Sequence, residues 1–293
     1  MYGVRINLNN TMIIRQVSNQ DQQTVANFIY FERYIHRHLD WKTPLDWIGR
    51  QPYLLLEEYG KIGAVLACPA DPPGVAWIRL FVSSSALNLQ TTWRMLWQNA
   101  LDGWVYNPEL PSIAAIPINS WFIELLEGSD FHLVDRVVVL LWSKSAAPEN
   151  PAKADVQIRA MQPEDLEVVE MVDNVAFGKI WQNSLASLRA GYKAAAIATV
   201  AFENQKIVGY QISTPTSSGG HLARLAVLPE YQGRGIGYAL IKNMQESFTK
   251  RGVQSVTVNT QISNLSSLAL YQKAGFQRSG EDYSVYQYRP VFS

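Results

Sequence analysis

The chain has 293 residues, of which 47% are hydrophobic and 17% charged, a composition typical of globular proteins that excludes a disordered chain. Its 25 Lys and Arg residues balance 25 Asp and Glu residues, so no global charge draws it to nucleic acid or to an anionic membrane. With one cysteine and four histidines, an internal disulfide is excluded and we expect no metal site.

Short segments of the first half recur in the second half at an offset of 145 residues. They are GKIGAVLA from residue 60 with QKIVGYQI from residue 205, and WIRLFV from residue 77 with LARLAV from residue 222. A polar, proline-containing stretch lies between the two copies. We therefore predict two tandem domains, residues 1–142 and 156–293, joined by a linker at residues 143–155.

The second copy gives the clearer order of elements. Pro163 suits the first turn of a helix, and Leu166, Val169 and Val172 follow at helical spacing, while Gly252 suits the end of a longer helix. The predicted elements are helices over 163–177 and about 181–192, a hairpin of strands 195–202 and 206–213, a strand over 222–228, a helix over about 235–251, a strand over 253–259, a helix over 265–273 and a final strand pair over 276–288. This order predicts an α/β (α+β) fold with a mixed sheet flanked by helices.

The strongest motif lies between the strand at 222–228 and the long helix, where residues 232–237 read Gln-Gly-Arg-Gly-Ile-Gly. Glycines at alternate positions let backbone amides converge on an anion, and the helix start adds free N–H groups. Arg234 adds a positive charge. The pattern fits neither a Walker loop, which needs Gly-Lys-Ser/Thr, nor a dinucleotide fingerprint, whose third glycine position is Tyr238. It indicates a pyrophosphate cradle.

These residues resemble the GNAT superfamily of N-acyltransferases. Gln232, Gly235 and Gly237 match the family's loop motif, and Asn264 and Tyr271 stand in the family's second motif, which ends at Gly275 and Phe276. The resemblance covers about 156–290 and implies two GNAT-like domains, each with a mixed, mostly antiparallel sheet. It implies acetyl-CoA, or another acyl-CoA, as co-substrate and an amine as acceptor.

The resemblance also implies which residues contact the cofactor. Backbone groups of the fourth strand should pair with the pantetheine arm, amides of the loop should hold the pyrophosphate, and an asparagine should face the cofactor. These residues are Leu225, Ala226 and Val227; Gln232, Gly233, Arg234, Gly235, Ile236 and Gly237; and Asn264.

Two residues are candidates for the acid and the base. Tyr271 is the candidate for the acid that protonates the departing thiolate, although a core aromatic would have the same helical spacing. His221, near the start of the fourth strand, is the candidate for the base because its reference pKa of about 6.5 suits neutral pH. A plain loop histidine is an equal alternative. Glu203, Glu281 and Asp282 are weaker candidates that suit solvated charges.

The first copy lacks the chemistry. Residues 87–92 align with the loop at 232–237 and contain no glycine, so we expect side chains to close that cradle. We therefore predict a degenerate first domain and an active second one, which transfers an acyl group directly to a primary amine in a ternary complex. The alternative is a non-catalytic acyl-CoA-binding or sensing protein.

The resemblance implies a small-molecule or peptide amine as the acceptor. The balanced charge leads us to expect no nucleic-acid or membrane partner. No stretch reaches the roughly 18 apolar residues of a membrane span, and the amino terminus lacks the apolar region of a signal peptide. We expect a cytoplasmic protein.

Overall fold

The chain forms two compact units. The structure, a computed structural model, describes residues 12–104, 110–144 and 156–290. Unit 1 comprises Met1–Val134 and Ser284–Ser293, and unit 2 comprises Asp135–Tyr283. Most of the predicted linker, residues 145–155, lies outside the described residues.

Unit 1 contains seven strands and three helices among its described residues before Phe131. They are β1 (Met12–Gln16), α1 (Gln22–Phe31), β2 (Tyr34–Arg37), β3 (Tyr53–Glu58), β4 (Lys61–Ala67), β5 (Val75–Trp77), β6 (Leu80–Ser83), α2 (Leu89–Trp104), β7 (Ser112–Ala115) and α3 (Ser120–Glu127). Five of the strands form an antiparallel sheet in the order β1-β3-β4-β6-β2, and β5 pairs with β7 in parallel. Trp93, Trp97 and Trp104 of α2 are buried in the core, so these tryptophans serve packing.

Unit 2 contains a mixed sheet that runs β8-β13-β12-β11-β10-β9. Its elements are β8 (Phe131–Ser143, from Asp135 onward), β9 (Gln157–Ala160), α4 (Leu166–Ala176), α5 (Leu185–Ala194), β10 (Ile197–Glu203), β11 (Lys206–Thr216), β12 (Gly219–Val227), α6 (Ile236–Lys250), β13 (Ser255–Gln261), α7 (Leu265–Lys273) and the start of β14 (Gln277–Tyr288). Among the described strand pairs of this sheet, only β12 and β13 run parallel. The predicted mixed sheet flanked by helices is confirmed.

Helices cover both faces of the unit 2 sheet. Tyr210 of β11 bonds through its hydroxyl to Asp173 of α4, whereas a Cβ at the preceding Gly209 would lie 3.5 Å from Leu240 of α6. Successive residues of a strand point to opposite faces. Helices α4 and α6 therefore pack on opposite faces, and every site residue on β12 faces one helix layer or the other.

The compact units differ from the predicted domains in two segments. Val137–Trp142 of β8 pair with β13 inside unit 2, although the sequence prediction places them in the first domain. Tyr286 and Gln287 of β14 pair with Ala115 and Ala114 of β7 inside unit 1. Each unit is thus completed by a strand from the other copy, because strand pairing is non-local and need not follow a duplication in the sequence.

The predicted elements of the second copy are confirmed, most with bounds within three residues of those observed, and two differ more. Helix α5 begins at Leu185, later than predicted, because Ser184 caps it by accepting the Ser187 amide at 3.1 Å. The predicted final strand pair is one strand of 12 residues, β14. None of the helices in the described ranges is long and apolar enough to cross a membrane.

Candidate active site

Strand β12 separates from β13 halfway along its length. Their parallel pairing comprises Gly220–Val256, His221–Thr257 and Leu222–Val258, and ends there. On the other side of β12, pairing with β11 continues to Val227, with Ala223 left as the extra residue of a β-bulge. Residues 225–227 therefore pair with no residue of β13 in the described structure, and the Val227 carbonyl instead accepts a hydrogen bond from the Gln232 side chain. The two strands separate at the place where the resemblance implies that the pantetheine arm binds.

The glycine-rich loop connects this cleft to the start of α6. Gly233 and Gly235 have φ values of 75° and 80°, which L side chains rarely adopt. The first backbone bond of the helix runs from the Ala239 amide to the Gly235 carbonyl at 3.0 Å. The amides of residues 233–237 donate to no acceptor among the described residues. Free N–H groups at a helix start favour an anion nearby.

Three residues of the loop also have structural roles that the sequence did not reveal. The Gln232 amide nitrogen donates to the Val227 carbonyl at 3.0 Å and ties the loop to the strand end. The Arg234 guanidinium pairs with the Glu203 carboxylate, so its charge is compensated. A Cβ at Gly237 would lie 3.0 Å from a methyl carbon of Leu270, so this glycine lets α7 pack closely against α6. The positive potential of the loop therefore comes mainly from its backbone.

Helix α7 carries the two residues of the second motif. Asn264 caps the helix, since its side-chain oxygen accepts the Ser267 amide at 3.1 Å. Tyr271 is 5% exposed, packs edge-on against Phe276 and shares a hydrophobic cluster with Leu222, the last β12 residue that pairs with β13. Burial raises the pKa of the Tyr271 phenol, so the phenol retains its proton at neutral pH.

His221 lies on β12 two residues before the bulge. Leu222 packs in the cluster with α6 and α7, so the neighbouring His221 points to the opposite face, toward the α4 layer. Its Nδ1 lies 2.9 Å from the Thr257 hydroxyl oxygen, and burial lowers its pKa. His221 is therefore neutral near pH 7. Of the weaker candidates, Glu203 pairs with Arg234 and Asp282 lies 3.5 Å from Arg136.

Sequence reasoning missed a buried polar network beside the bulge. Asp173 of α4, fully buried, accepts hydrogen bonds from Arg224 of β12 and from the Tyr210 hydroxyl. Burial, with the charge of Asp173, raises the pKa of Tyr210. One signal could have found it: the arginine of LARLAV recurs as Arg79 in WIRLFV of the first copy.

The corresponding cleft of unit 1 is closed by a strand. Residues 80–82 of β6 occupy the repeat positions of 225–227, and β2 pairs with them antiparallel, with His36 opposite Phe81. At the start of α2 the Asn88 side chain accepts the Thr91 amide at 3.0 Å. We expected side chains to close this cradle; a backbone strand also occupies the edge. In unit 1 the strand edge is thus filled, and the Thr91 and Thr92 amides at the helix start have acceptors in Asn88.

Unit 2 is thus an α/β domain whose mixed sheet splits beside a glycine-rich helix start. Residues 166–276 match the family model described as the Acetyltransferase (GNAT) family. Unit 2 therefore carries a GNAT-family domain.

Similar proteins extend this assignment to the fold of the whole chain. The chain resembles the ribosomal protein bS18-alanine N-acetyltransferase of Escherichia coli K12, with 31% identity over 77 residues, 26% of this chain and 52% of the relative. It spans about half the length of that relative. The GCN5-related N-acetyltransferase of Sphaerobacter thermophilus covers 98% of both chains, with a TM-score of 0.61 and 18% identity. A tandem GNAT protein from the clavulanic acid biosynthesis pathway covers 96% of this chain and 100% of its own, with a TM-score of 0.62 and 12% identity. The chain has the tandem GNAT fold.

Proposed function

We propose that unit 2 transfers an acetyl group from acetyl-CoA to a primary amine, directly and within a ternary complex. The observation that carries this proposal is the juxtaposition of a strand edge at 225–227, which pairs with no described strand on its β13 side, with five free amides at 233–237. An extended amide-containing arm that ends in a pyrophosphate is complementary to both features. Unit 1 has neither feature in open form.

The loop fits a pyrophosphate on steric and electrostatic grounds. A Cβ at Gly233 would meet no atom within 4 Å, so the surface there is open. Gly235 begins α6 in a left-handed conformation, which directs successive amides outward. The amides of Gly233, Arg234, Gly235, Ile236 and Gly237 would hold the pyrophosphate. Gln232 would shape this loop through its bond to Val227.

The strand edge would bind the rest of the cofactor. Backbone groups of Leu225, Ala226 and Val227 would pair with the pantetheine arm, as a neighbouring strand does at the equivalent edge of unit 1. Asn264, which caps α7, would border the same cleft. Acetyl-CoA supplies an acyl thioester, a carbonyl carbon that an amine attacks with a thiolate as leaving group.

Three tasks in the reaction would then fall to residues of the chain: polarising the carbonyl, protonating the leaving sulfur and accepting the proton of the amine. The backbone N–H at the Ala223 bulge would polarise the thioester carbonyl, since a bulge releases a residue from the ladder. Tyr271, protonated at neutral pH, would donate a proton to the leaving sulfur. His221, neutral because burial lowers its pKa, would accept the proton of the amine directly or through water.

The acceptor is proposed as a class. The relative from Escherichia coli acts on an alanine of a ribosomal protein, which makes the α-amine of a peptide the first acceptor to test. Small amines stay in the test because the leading helices and loops of a fold, not its sheet, determine what it binds.

The experiment measures release of free thiol from acetyl-CoA. The acceptors are an octapeptide with an amino-terminal alanine, the same peptide with an acetylated terminus, spermidine, lysine and an aminoglycoside, with mass spectrometry of the product. We expect thiol release with at least one free amine and none with the blocked peptide. Tight acetyl-CoA binding without thiol release from any acceptor would contradict the proposal and favour a non-catalytic binding protein.

A further inference from the structure

An ion pair buried beneath the bulge joins strand β12 to helix α4. The Nε and Nη2 atoms of Arg224 donate to the two carboxylate oxygens of Asp173 at 2.7 and 2.9 Å, a bidentate arrangement. Asp173 is fully buried, and it also accepts the Tyr210 hydroxyl and, at 2.8 Å, the amide of Asn183. The carboxylate is thus saturated with donors from three parts of the unit.

The same arginine holds the segment between α4 and α5, residues 177–184. Its Nη2 donates to the Trp181 carbonyl at 2.5 Å, and its guanidinium carbon lies 3.4 Å from the centre of the Phe177 ring. A planar guanidinium can stack and donate in its plane at once, which a lysine cannot do. Arg224 is therefore the point at which β12 and this segment are joined.

Unit 1 contains an equivalent arginine that pairs with a carboxylate and stacks on an aromatic ring, although β2 occupies its strand edge. Arg79 occupies the repeat position of Arg224; it donates to Asp40 at 2.7 Å and lies 4.5 Å from the centre of the Trp47 ring. Because β2 occupies the strand edge of unit 1, this arginine has no acyl group to act on there. The shared role of the two arginines is to hold the segment that follows the first helix of each unit.

In unit 2, segment 177–184 also borders the face of β12 from which an amine can reach the bulge. The α6 and α7 face of the bulge is filled by a hydrophobic cluster that includes Leu222 and Tyr271. An amine must therefore approach the bulge from the other face, to which His221 and Arg224 point. Segment 177–184 lies on that face, over the residue that follows the bulge.

We propose that Arg224 is a positioning residue that holds segment 177–184 against β12 as a wall of the acceptor pocket. This inference rests on the proposed acetyl transfer to amines. It assigns Arg224 no contact with the reacting atoms. The segment, rather than the cofactor loop, then determines how the amine is oriented.

The test compares Arg224→Lys with Arg79→Lys. Lysine keeps the charge that the buried carboxylate needs, but loses the bidentate geometry and the ring stacking. With the alanine octapeptide as acceptor, we expect Arg224→Lys to lower kcat/KM for the peptide about tenfold while the Kd for acetyl-CoA changes less than twofold. Amide hydrogen exchange should become faster at 177–184. In Arg79→Lys, exchange should become faster at residues 44–47, with kcat/KM for the peptide unchanged.

Three results would overturn the inference: unchanged exchange at 177–184 in Arg224→Lys, faster exchange there with unchanged kcat/KM for the peptide, or loss of acetyl-CoA affinity in a folded variant. Failure of the proposed function is distinguishable. If the wild-type protein turns over no acceptor, acetyl transfer is refuted, and with it the acceptor wall. The exchange data then still decide whether Arg224 holds the segment.

Discussion

The loop at the start of α6 allows a quantitative test of the cofactor site. Gly235 has a φ of 80°, so any L residue there is strained, at a cost of about 1–2 kcal/mol in stability. Both Gly235→Ala and Gly235→Glu incur that strain, but only glutamate adds a negative charge beside the five free amides. A carboxylate about 6 Å from one phosphate charge costs about 3 kcal/mol at an effective dielectric constant of about 20. We therefore expect acetyl-CoA to bind Gly235→Glu about 100-fold more weakly than Gly235→Ala.

Calorimetric titration of both variants with acetyl-CoA measures this difference, and thermal denaturation checks that the two are equally folded. Because the effect is electrostatic, the gap between the variants should narrow when the salt concentration rises from about 0.1 M to about 1 M. Equal affinities of two equally folded variants at low salt would refute the reasoning, since the pyrophosphate would then lie away from this helix start.

Three further predictions follow from the two units and their buried groups. Titration of the intact chain should give one acetyl-CoA per chain, because β2 occupies the equivalent edge of unit 1; a second site of similar affinity that survives Gly235→Glu would contradict this. Tyr271→Phe keeps the packing against Phe276 and removes the hydroxyl, so turnover should fall about 10²-fold while acetyl-CoA affinity stays nearly unchanged. If the variant turns over at the wild-type rate while the chemical step is rate-limiting, Tyr271 has only a packing role. Burial lowers the pKa of His36 to about 4, whereas a histidine in the unfolded chain has a pKa of roughly 6.5. Because the unfolded state takes up the proton first, the stability of the folded protein falls as the pH drops from about 6.5 to 4. That loss is about 3 kcal/mol, and guanidinium unfolding of His36→Gln at both ends of this range should show a smaller loss; an identical pH dependence would exclude His36 as its source.

The sequence by itself determined most helices and strands of the second copy and the position of the glycine-rich loop. Glycine at 233 and 235 marks positions of positive φ, and the helical spacing from Leu166 to Val172 marks a buried helix face; both are local properties. The repeat at 145 residues also indicated two copies of one fold. The cofactor-binding and catalytic residues that the sequence suggested stay a prediction.

Only the tertiary structure decided which strands complete each unit, what closes the first cleft and what Arg224 contacts. The pairing of β8 with β13 and of β14 with β7 joins residues more than 100 positions apart, and nothing local in either strand specifies its partner. Similarly, β2 has no counterpart in the repeat, so an alignment of the two copies could not reveal that it pairs with β6. Hydrophobic periodicity and turn conformation depend on residues that are neighbours in the sequence. Strand order and buried ion pairs depend instead on the free energy of the whole packed unit.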